Sequence, residues 1–131
     1  ERGRDGAVAE LDVADKALLF DTYGALLTPH QRELLEMYQE WDWTLAEVAE
    51  EKGTSRQAVH DALKRAYGAL LNYEEKLGWV RRYRERRRLL MAMAKELQDL
   101  KEALMKDPPQ VEGAKEHLLR AQKHLYTLLQ E

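Results

Sequence analysis

The chain has 131 residues, of which 44% are hydrophobic and 34% charged, so it can bury the core of one domain, or of one domain with a helical appendage. It contains no cysteine, which excludes disulfides and thiolate metal sites and is typical of a reducing cytoplasm. No apolar run approaches the roughly 20 residues that span a bilayer, so no membrane insertion is expected. Ala, Leu, Glu, Lys and Arg dominate and strand-like alternation is missing, so an all-α fold is predicted.

Two helices are predicted before residue 42. Residues 1–6 lack the apolar segment of a secretory signal, and we expect a flexible N-terminus at 1–12. The first helix begins near Asp12 or Asp15, either of which can cap it. The second begins at Thr28-Pro29, where Gln31 can complete a capping box. The expected core positions are Leu18, Leu19, Phe20, Tyr23, Leu26 and Leu27 in the first helix, and Leu34, Leu35, Tyr38 and Trp41 in the second.

Residues 44–66 have the pattern of a helix-turn-helix. A short helix follows Thr44 and ends at Gly53, where glycine permits the left-handed backbone of a tight turn. Ser55 caps a second helix that extends to Leu77 and ends at Gly78. Leu45 and Ala49 are expected to face inward, with a small side chain at Ala49 where the helices cross. The other inward positions are Val48, Ala58, Val59, Ala62 or Leu63, Ala66, Leu70 and Tyr73.

The second helix of this motif carries the first set of candidate nucleic-acid contacts. In a helix-turn-helix its N-terminal residues point into the major groove, so Arg56, Gln57 and His60 are predicted to read base edges, while Lys64 and Arg65 contact phosphate. The charge of the surrounding sequence opposes this use. Residues 28–78 carry six Lys and Arg against ten Asp and Glu, a net charge of −4, which repels the phosphates that supply much of the affinity for DNA.

The second set of candidate contacts lies on a long basic helix that begins at Trp79 or Val80. Its first residues place six arginines in eight positions around Tyr83, namely Arg81, Arg82, Arg84, Arg86, Arg87 and Arg88. Residues 79–106 carry nine Lys and Arg against four Asp and Glu, a net charge of +5. Arginine forks onto phosphate oxygens and stacks on bases, so the run is predicted to contact RNA or an acidic protein. The alternative is a solvated helix start that pairs with acidic residues such as Glu74 and Glu75.

Two heptad patterns follow the arginine run, and a break at Asp107-Pro108-Pro109 separates them. Their apolar positions are Leu90, Met93, Leu97, Leu100 and Leu104, and then Val111, Ala114, Leu118, Ala121, Leu125 and Leu128. Such seams fit an antiparallel hairpin or one half of a homodimer interface, and the sequence does not choose between them. The chain is therefore predicted to consist of a helix-turn-helix domain at 13–78 and a basic helix with a C-terminal hairpin at 79–131.

The remaining chemistry-bearing residues form no recognisable site. Trp41 and Trp79 are expected in the core, with Trp43 partly exposed. His117 and His124 lie seven residues apart on one helix, too far to share a metal ion, so no metal site is predicted. No Ser/His/Asp order, glycine-rich phosphate loop or buried acid pair is present, so we expect no enzyme, no catalytic residue and no cofactor.

The helix-turn-helix also carries a resemblance to known families. The segments TLAEVA at 44–49 and SRQAVHDALKRA at 55–66 resemble region four of sigma factors. Together with LFDTYGALLTPHQR at 19–32 and NYEEKLG at 72–78, they resemble the YlxM family of small bacterial helix-turn-helix proteins over about residues 16–90. The hairpin after Asp107 does not match that family's pattern.

The resemblance implies a cytoplasmic, non-enzymatic accessory protein of the signal recognition particle pathway. Its partners are then expected to be the particle's RNA, its GTPase proteins, or both. The alternative function is a homodimeric DNA-binding regulator of transcription.

Overall fold

The computed structural model describes residue 8 and residues 10–130. The helices from residue 11 onward are α1 Val13–Tyr23, α2 Pro29–Leu35, α3 Leu45–Lys52, α4 Arg56–Leu77, α5 Trp79–Met105 and α6 Val111–Leu129. A 3₁₀ turn, Gly24–Leu26, follows α1, and a π-helical segment, Glu36–Glu40, continues α2. No strand occurs in the described part of the chain, and the predicted all-α fold is confirmed.

The chain divides into two compact units, Glu1–Val80 and Arg81–Glu131, and each is described by itself below. The predicted division into a domain at 13–78 and a C-terminal part at 79–131 stays a prediction, because compactness does not measure independent folding. The predicted flexible segment, residues 1–12, lies mostly outside the described residues.

The first three helices begin with the same local device, a capping box. In each, the N-cap side chain accepts a hydrogen bond from the backbone N–H three residues on, and the side chain at that third position accepts one from the N-cap N–H. The pairs are Asp12 with Asp15, Thr28 with Gln31 and Thr44 with Glu47. Each cap contributes about 1 kcal/mol by satisfying amides that have no partner within the helix. The predicted starts of these helices are confirmed.

α4 is the central helix of the first unit, and it packs against α1, α2 and α3. The core around it is aromatic and aliphatic; its buried members include Phe20, Tyr23, Leu34, Leu35, Val48, Val59, Leu63, Ala66, Tyr67 and Leu70. Each large side chain fully buried there contributes roughly 1.5–3 kcal/mol relative to exposure. The core positions predicted from helical spacing are thus mostly confirmed.

Four predicted core positions of the first unit are wrong. Trp41 is 53% exposed, because the π-helical segment before it adds a residue to the turn and rotates Trp41 outward, while Met37 is buried instead. Leu26 is exposed because it lies in the 3₁₀ turn and not on α1. Ala58 lies exposed in the first turn of α4. Trp79 is 44% exposed, since only one face of its ring stacks, on Tyr23. The partly exposed position predicted for Trp43 is confirmed.

α5 and α6 form an antiparallel hairpin within the second unit. Glu96 on α5 bonds to His117 and Arg120 on α6 at 2.6 and 3.1 Å, and the Gln110 N–H donates to the Ala103 carbonyl at 2.9 Å where the chain reverses. The side chains buried in this unit are Leu89, Ala103, Ala114 and Ala121. The predicted break after residue 106 is confirmed.

The heptad seams are only partly buried in this hairpin. Ala114 and Ala121 are buried, and Met93, Leu100 and Leu128 are half-buried as predicted, but the other predicted seam positions are exposed. The two helices also meet through the bonds of Glu96 to His117 and Arg120. Six predicted seam positions, Leu90, Leu97, Leu104, Val111, Leu118 and Leu125, are thus not buried within this chain, and the predicted alternative for them, a homodimer interface, stays a prediction.

Candidate nucleic-acid interface

The helix-turn-helix is formed by α3 and α4. α3 ends at Gly53, whose φ of 64° places it in the left-handed region, and the Thr54 N–H donates to the Ala49 carbonyl at 3.0 Å to close the turn. Ser55 then caps α4 by accepting from the Ala58 N–H at 3.0 Å. Val48, Ala49, Val59 and Leu63 are buried between the helices. The turn at Gly53, the cap at Ser55 and the buried side chains between the two helices occupy the positions predicted from the sequence.

All five predicted contact residues of α4 are exposed: Arg56, Gln57, His60, Lys64 and Arg65. Asp61 lies among them on the same helix. Its carboxylate accepts a hydrogen bond from Gln57 Nε2 at 3.0 Å and lies 3.4 Å from His60 Nδ1. The hydrogen bonds from His60 and Gln57 hold the pKa of Asp61 below its usual range. Two of the three predicted base-reading side chains are thus oriented by an acidic neighbour.

Asp61 was counted only in the net charge of residues 28–78, and its local role was not predicted. The signal that could have found it is the spacing of four residues between Gln57 and Asp61, which places their side chains side by side on a helix.

The two residues predicted to contact phosphate, Lys64 and Arg65, lie on different sides of α4. Lys64 lines a cavity of about 300 Å³ together with Lys16, Tyr38, His60 and Tyr67. Arg65 lines another of about 250 Å³, together with His30, Lys52, Thr54 and Ala58. Adjacent residues on a helix point about 100° apart, which agrees with the two side chains lining different cavities.

The arginine run begins in the first turn of α5 and extends over the two turns that follow. All six predicted residues, Arg81, Arg82, Arg84, Arg86, Arg87 and Arg88, are exposed, and they spread over most of the helix circumference. Arg88 forks onto Glu85 through contacts of 2.6 and 3.1 Å, and this hydrogen bonding lowers the pKa of Glu85. The run begins the second unit, and the helix-turn-helix lies in the first.

Glu74 is one of the two acidic residues, with Glu75, that the alternative interpretation expected to pair with this basic helix start. Its carboxylate accepts hydrogen bonds from the Tyr23 hydroxyl and from the Val80 N–H, and so lies at the N-terminus of α5. A carboxylate there interacts favourably with the positive end of the helix dipole. Sequence reasoning placed Glu74 near this helix start but missed Tyr23 as its partner.

One further cluster joins residues that are distant in sequence. Ligand atoms of Glu96, Asp99 and His117 lie within 4.8 Å of one another, in an arrangement that sequence reasoning about histidine spacing did not foresee. Arg120 bonds to Glu96, and Lys95 bonds to Asp99 at 2.9 Å. The cluster is an ion-pair network that joins α5 to α6.

None of the helices in the described residues is long and apolar enough to cross a membrane.

Comparison with known proteins places these features in a family. A family model described as "Putative helix-turn-helix protein, YlxM / p13 like" matches residues 13–107, and this description names no catalysed reaction. A UPF0122 protein of Symbiobacterium thermophilum is 51% identical over 79 residues, which cover 60% of this chain and 74% of the relative. A UPF0122 protein of Caldanaerobacter subterraneus is 46% identical over 95 residues, 72% of this chain and 75% of the relative. Another, from Clostridium botulinum, is 39% identical over 88 residues, 67% and 81% of the two chains. The family match ends before α6.

Proposed function

We propose that this chain, which belongs to the family of YlxM- and p13-like helix-turn-helix proteins, is a cytoplasmic accessory protein of the signal recognition particle pathway without enzymatic activity. In this proposal the chain binds the particle's RNA. It also binds the particle's GTPases, either directly or through that RNA. The observation that carries the proposal is the exposed arginine run of α5, since it concentrates positive charge on a chain whose helix-turn-helix region is acidic.

Charge favours the arginine run over α4 as the phosphate-binding surface. Residues 28–78 have a net charge of −4, and Asp61 adds a carboxylate where DNA would meet the N-terminal half of α4. The arginines of α5 carry no such local excess of acid, since Glu85 is the one acidic residue within 81–88. Their spread around the helix lets several of them meet a folded or single-stranded RNA at once.

The resemblance to the YlxM family, noted in the 19–32 and 72–78 segments, supports the signal recognition particle as the source of that RNA. The arginine run lies within the family match, which extends to residue 107.

A charge-reversal experiment tests the proposal. The triple variant Arg84→Glu, Arg87→Glu and Arg88→Glu is compared with Lys95→Glu, Lys101→Glu and Lys106→Glu, which makes the same charge change at exposed positions farther along the chain, two on α5 and one directly after it. Binding is measured by mobility shift with particle RNA and by pull-down of the particle's GTPases. We expect the arginine variant to lose binding and the lysine variant to retain most of it. Unaltered binding of the arginine variant to every particle component, or no binding by the wild type, contradicts the proposal.

A second candidate function, a dimeric DNA-binding regulator, is favoured by the complete helix-turn-helix geometry of α3 and α4. In this function Arg56, exposed in the first turn of α4, reaches a base edge, and Lys64 and Arg65 lie farther along the helix. Selection from random duplex DNA at low salt tests this function. Recovery of an enriched sequence that Arg56→Ala no longer binds supports it, and recovery of none excludes it.

A further inference from the structure

The cavity that Lys64 lines is formed by four elements of the first unit. Lys16 of α1, Tyr38 of the π-helical segment, Leu45 of α3 and His60 of α4 also line it, and its volume is about 300 Å³. Pockets that bind small molecules have volumes of roughly 300–1,000 Å³. A water molecule takes about 30 Å³ of the liquid, so this cavity has room for a ligand of about ten non-hydrogen atoms.

Much of the wall of this cavity is apolar. Val8, Leu45 and Leu63 supply aliphatic side chains, and Tyr38 and Tyr67 supply aromatic rings. Leu63 and Tyr67 also belong to the buried core of the first unit, so this part of the wall is held in place by the fold. Contacts to nucleic-acid phosphates are made by polar and charged groups and need no apolar recess. The apolar wall therefore favours a ligand with an organic body.

The ammonium group of Lys16 lies over an aromatic ring of the cavity wall. Its Nζ is 5.1 Å from the centroid of the Tyr67 ring, which is within the range of a cation–π contact. Burial raises the pKa of Tyr67, and its protonated hydroxyl donates a hydrogen bond to Gln39 Oε1 at 2.7 Å, which fixes the ring. The ring attracts the charge of Lys16 but supplies no oxygen acceptor for its three N–H donors. An oxyanion in the cavity would supply that acceptor.

The charges that line the cavity differ from those of the surrounding sequence. Lys16, Lys64 and His60 are the titratable nitrogen groups of its wall, and none of the described residues that line it is Asp or Glu. Residues 28–78 carry six Lys and Arg against ten Asp and Glu. Two ammonium groups that line one recess raise its local potential, and a recess with low-dielectric walls focuses that potential. The cavity thus attracts anions within an otherwise acidic region.

We propose that this cavity is a binding site for a small aromatic acid of about the size of benzoate. The acid group accepts charge-assisted hydrogen bonds from Lys16 and Lys64, and the ring packs on the apolar wall. Charge complementarity selects the acid group, while the volume and the apolar wall select the ring. The inference does not rest on the function proposed above, because Lys16 and the apolar wall belong to neither of the predicted nucleic-acid surfaces.

An NMR titration of the full chain with benzoate tests the site. Benzyl alcohol, which keeps the ring and lacks the charge, and inorganic phosphate, which keeps the charge and lacks the ring, are the comparison probes. We expect benzoate to shift the methyl signals of Leu45 and Leu63 saturably, and each comparison probe to bind about tenfold more weakly or worse. These measurements use the wild type and depend on no variant. No saturable shift with benzoate, or equally tight binding of either comparison probe, overturns the proposal.

Substitution of Lys16 tests which residue holds the acid group. Lys16→Met keeps an apolar side chain of similar length and removes the charge, and it is expected to raise the Kd for benzoate about tenfold or more. Lys76→Met is the matched control, because Lys76 is exposed in the last turn of α4 and does not line the cavity. Its Kd is expected to stay within about twofold of the wild-type value. Unchanged affinity of Lys16→Met, or an equal loss in Lys76→Met, overturns the proposal.

Discussion

The Tyr23 hydroxyl donates a hydrogen bond of 2.6 Å to Glu74 Oε1, and the two residues together cap α5. The Trp79 N–H donates to the Tyr23 oxygen at 3.0 Å, and the Val80 N–H donates to the Glu74 carboxylate at 2.9 Å. The N–H groups of Trp79 and Val80, which have no acceptor within α5, are thereby hydrogen-bonded. They directly follow Gly78, whose backbone is left-handed. Burial and the adjacent Glu74 carboxylate raise the pKa of Tyr23. The relationship joins α1, α4 and the first residues of α5.

Removing the Tyr23 hydroxyl is expected to destabilise the first unit. Tyr23→Phe keeps the stacking on Trp79 but leaves the Trp79 N–H and Glu74 without this partner, at a cost of about 1–3 kcal/mol. Tyr73→Phe is the control, because the Tyr73 hydroxyl bonds an exposed carbonyl, that of Leu26, and its loss is expected to cost about 0.5 kcal/mol or less. Urea denaturation followed by circular dichroism measures both. Equal losses for the two variants contradict the role assigned to Tyr23.

Alanine substitution at two glycines gives a second prediction. The change in stability is expected to have opposite signs at Gly53, in the turn of the helix-turn-helix, and at Gly113, in α6. A Cβ added at Gly53 or at Gly113 meets no heavy atom within 4 Å, so packing does not distinguish them. Gly53 has a φ of 64°, and alanine there is expected to destabilise by about 1 kcal/mol through backbone strain. Gly113 lies within α6, where alanine is expected to stabilise by about 0.5–1 kcal/mol. Thermal unfolding of Gly53→Ala and Gly113→Ala measures the two shifts, and a shift of the same sign in both contradicts this account.

The local features of the fold could be predicted from the sequence because they depend on few residues. Thr28 with Gln31, and Gly53 with Ser55, define helix ends through contacts within three or four positions. The buried contact between α3 and α4 was predictable for the same reason, since the two helices are adjacent in the chain.

The remaining features depend on contacts that no local pattern reports. Trp41 was misplaced because a π-helical segment changes the phase of the helix before it, and nothing in its spacing marks that segment. Tyr23 and Glu74 are 51 residues apart, and Glu96 and His117 are 21 apart, so each pair is formed by packing. The leucine heptads correctly indicated apolar positions, but Glu96 and His117, one residue before Leu97 and Leu118, are the side chains that meet between the two helices.

Asp61 supplies a prediction for the helix-turn-helix surface. Asp61→Ala removes a carboxylate and releases Gln57 and His60, so affinity for duplex DNA at low salt is expected to rise roughly three- to tenfold. Glu51→Ala is the control, because it removes the same charge from the exposed side of α3. Fluorescence anisotropy with a random-sequence duplex measures both affinities. If Asp61→Ala gains no more than Glu51→Ala, the carboxylate acts only through net charge and not by holding its neighbours.

The Glu96 cluster makes the stability of the hairpin depend on pH. Hydrogen bonds from His117 and Arg120 hold the pKa of Glu96 below its ordinary value of 4.5 in the folded chain. A carboxyl group with a lowered folded pKa binds protons more readily when unfolded. Its stabilising contribution is therefore complete above 4.5 and is lost as the pH falls through the folded pKa.

Substitution isolates this contribution from those of other acids. The melting temperature of Glu96→Gln is expected to lie below that of the wild type at neutral pH and to converge with it under acid conditions, where wild-type Glu96 is also uncharged. Glu112→Gln is the control, since Glu112 is exposed and pairs with Lys115 on its own helix. Its difference from the wild type is expected to stay small throughout. Thermal unfolding followed by circular dichroism from neutral pH into the acid range measures these differences in melting temperature. If the difference between Glu96→Gln and the wild type does not change with pH, the cross-helix pair contributes through packing and not through charge.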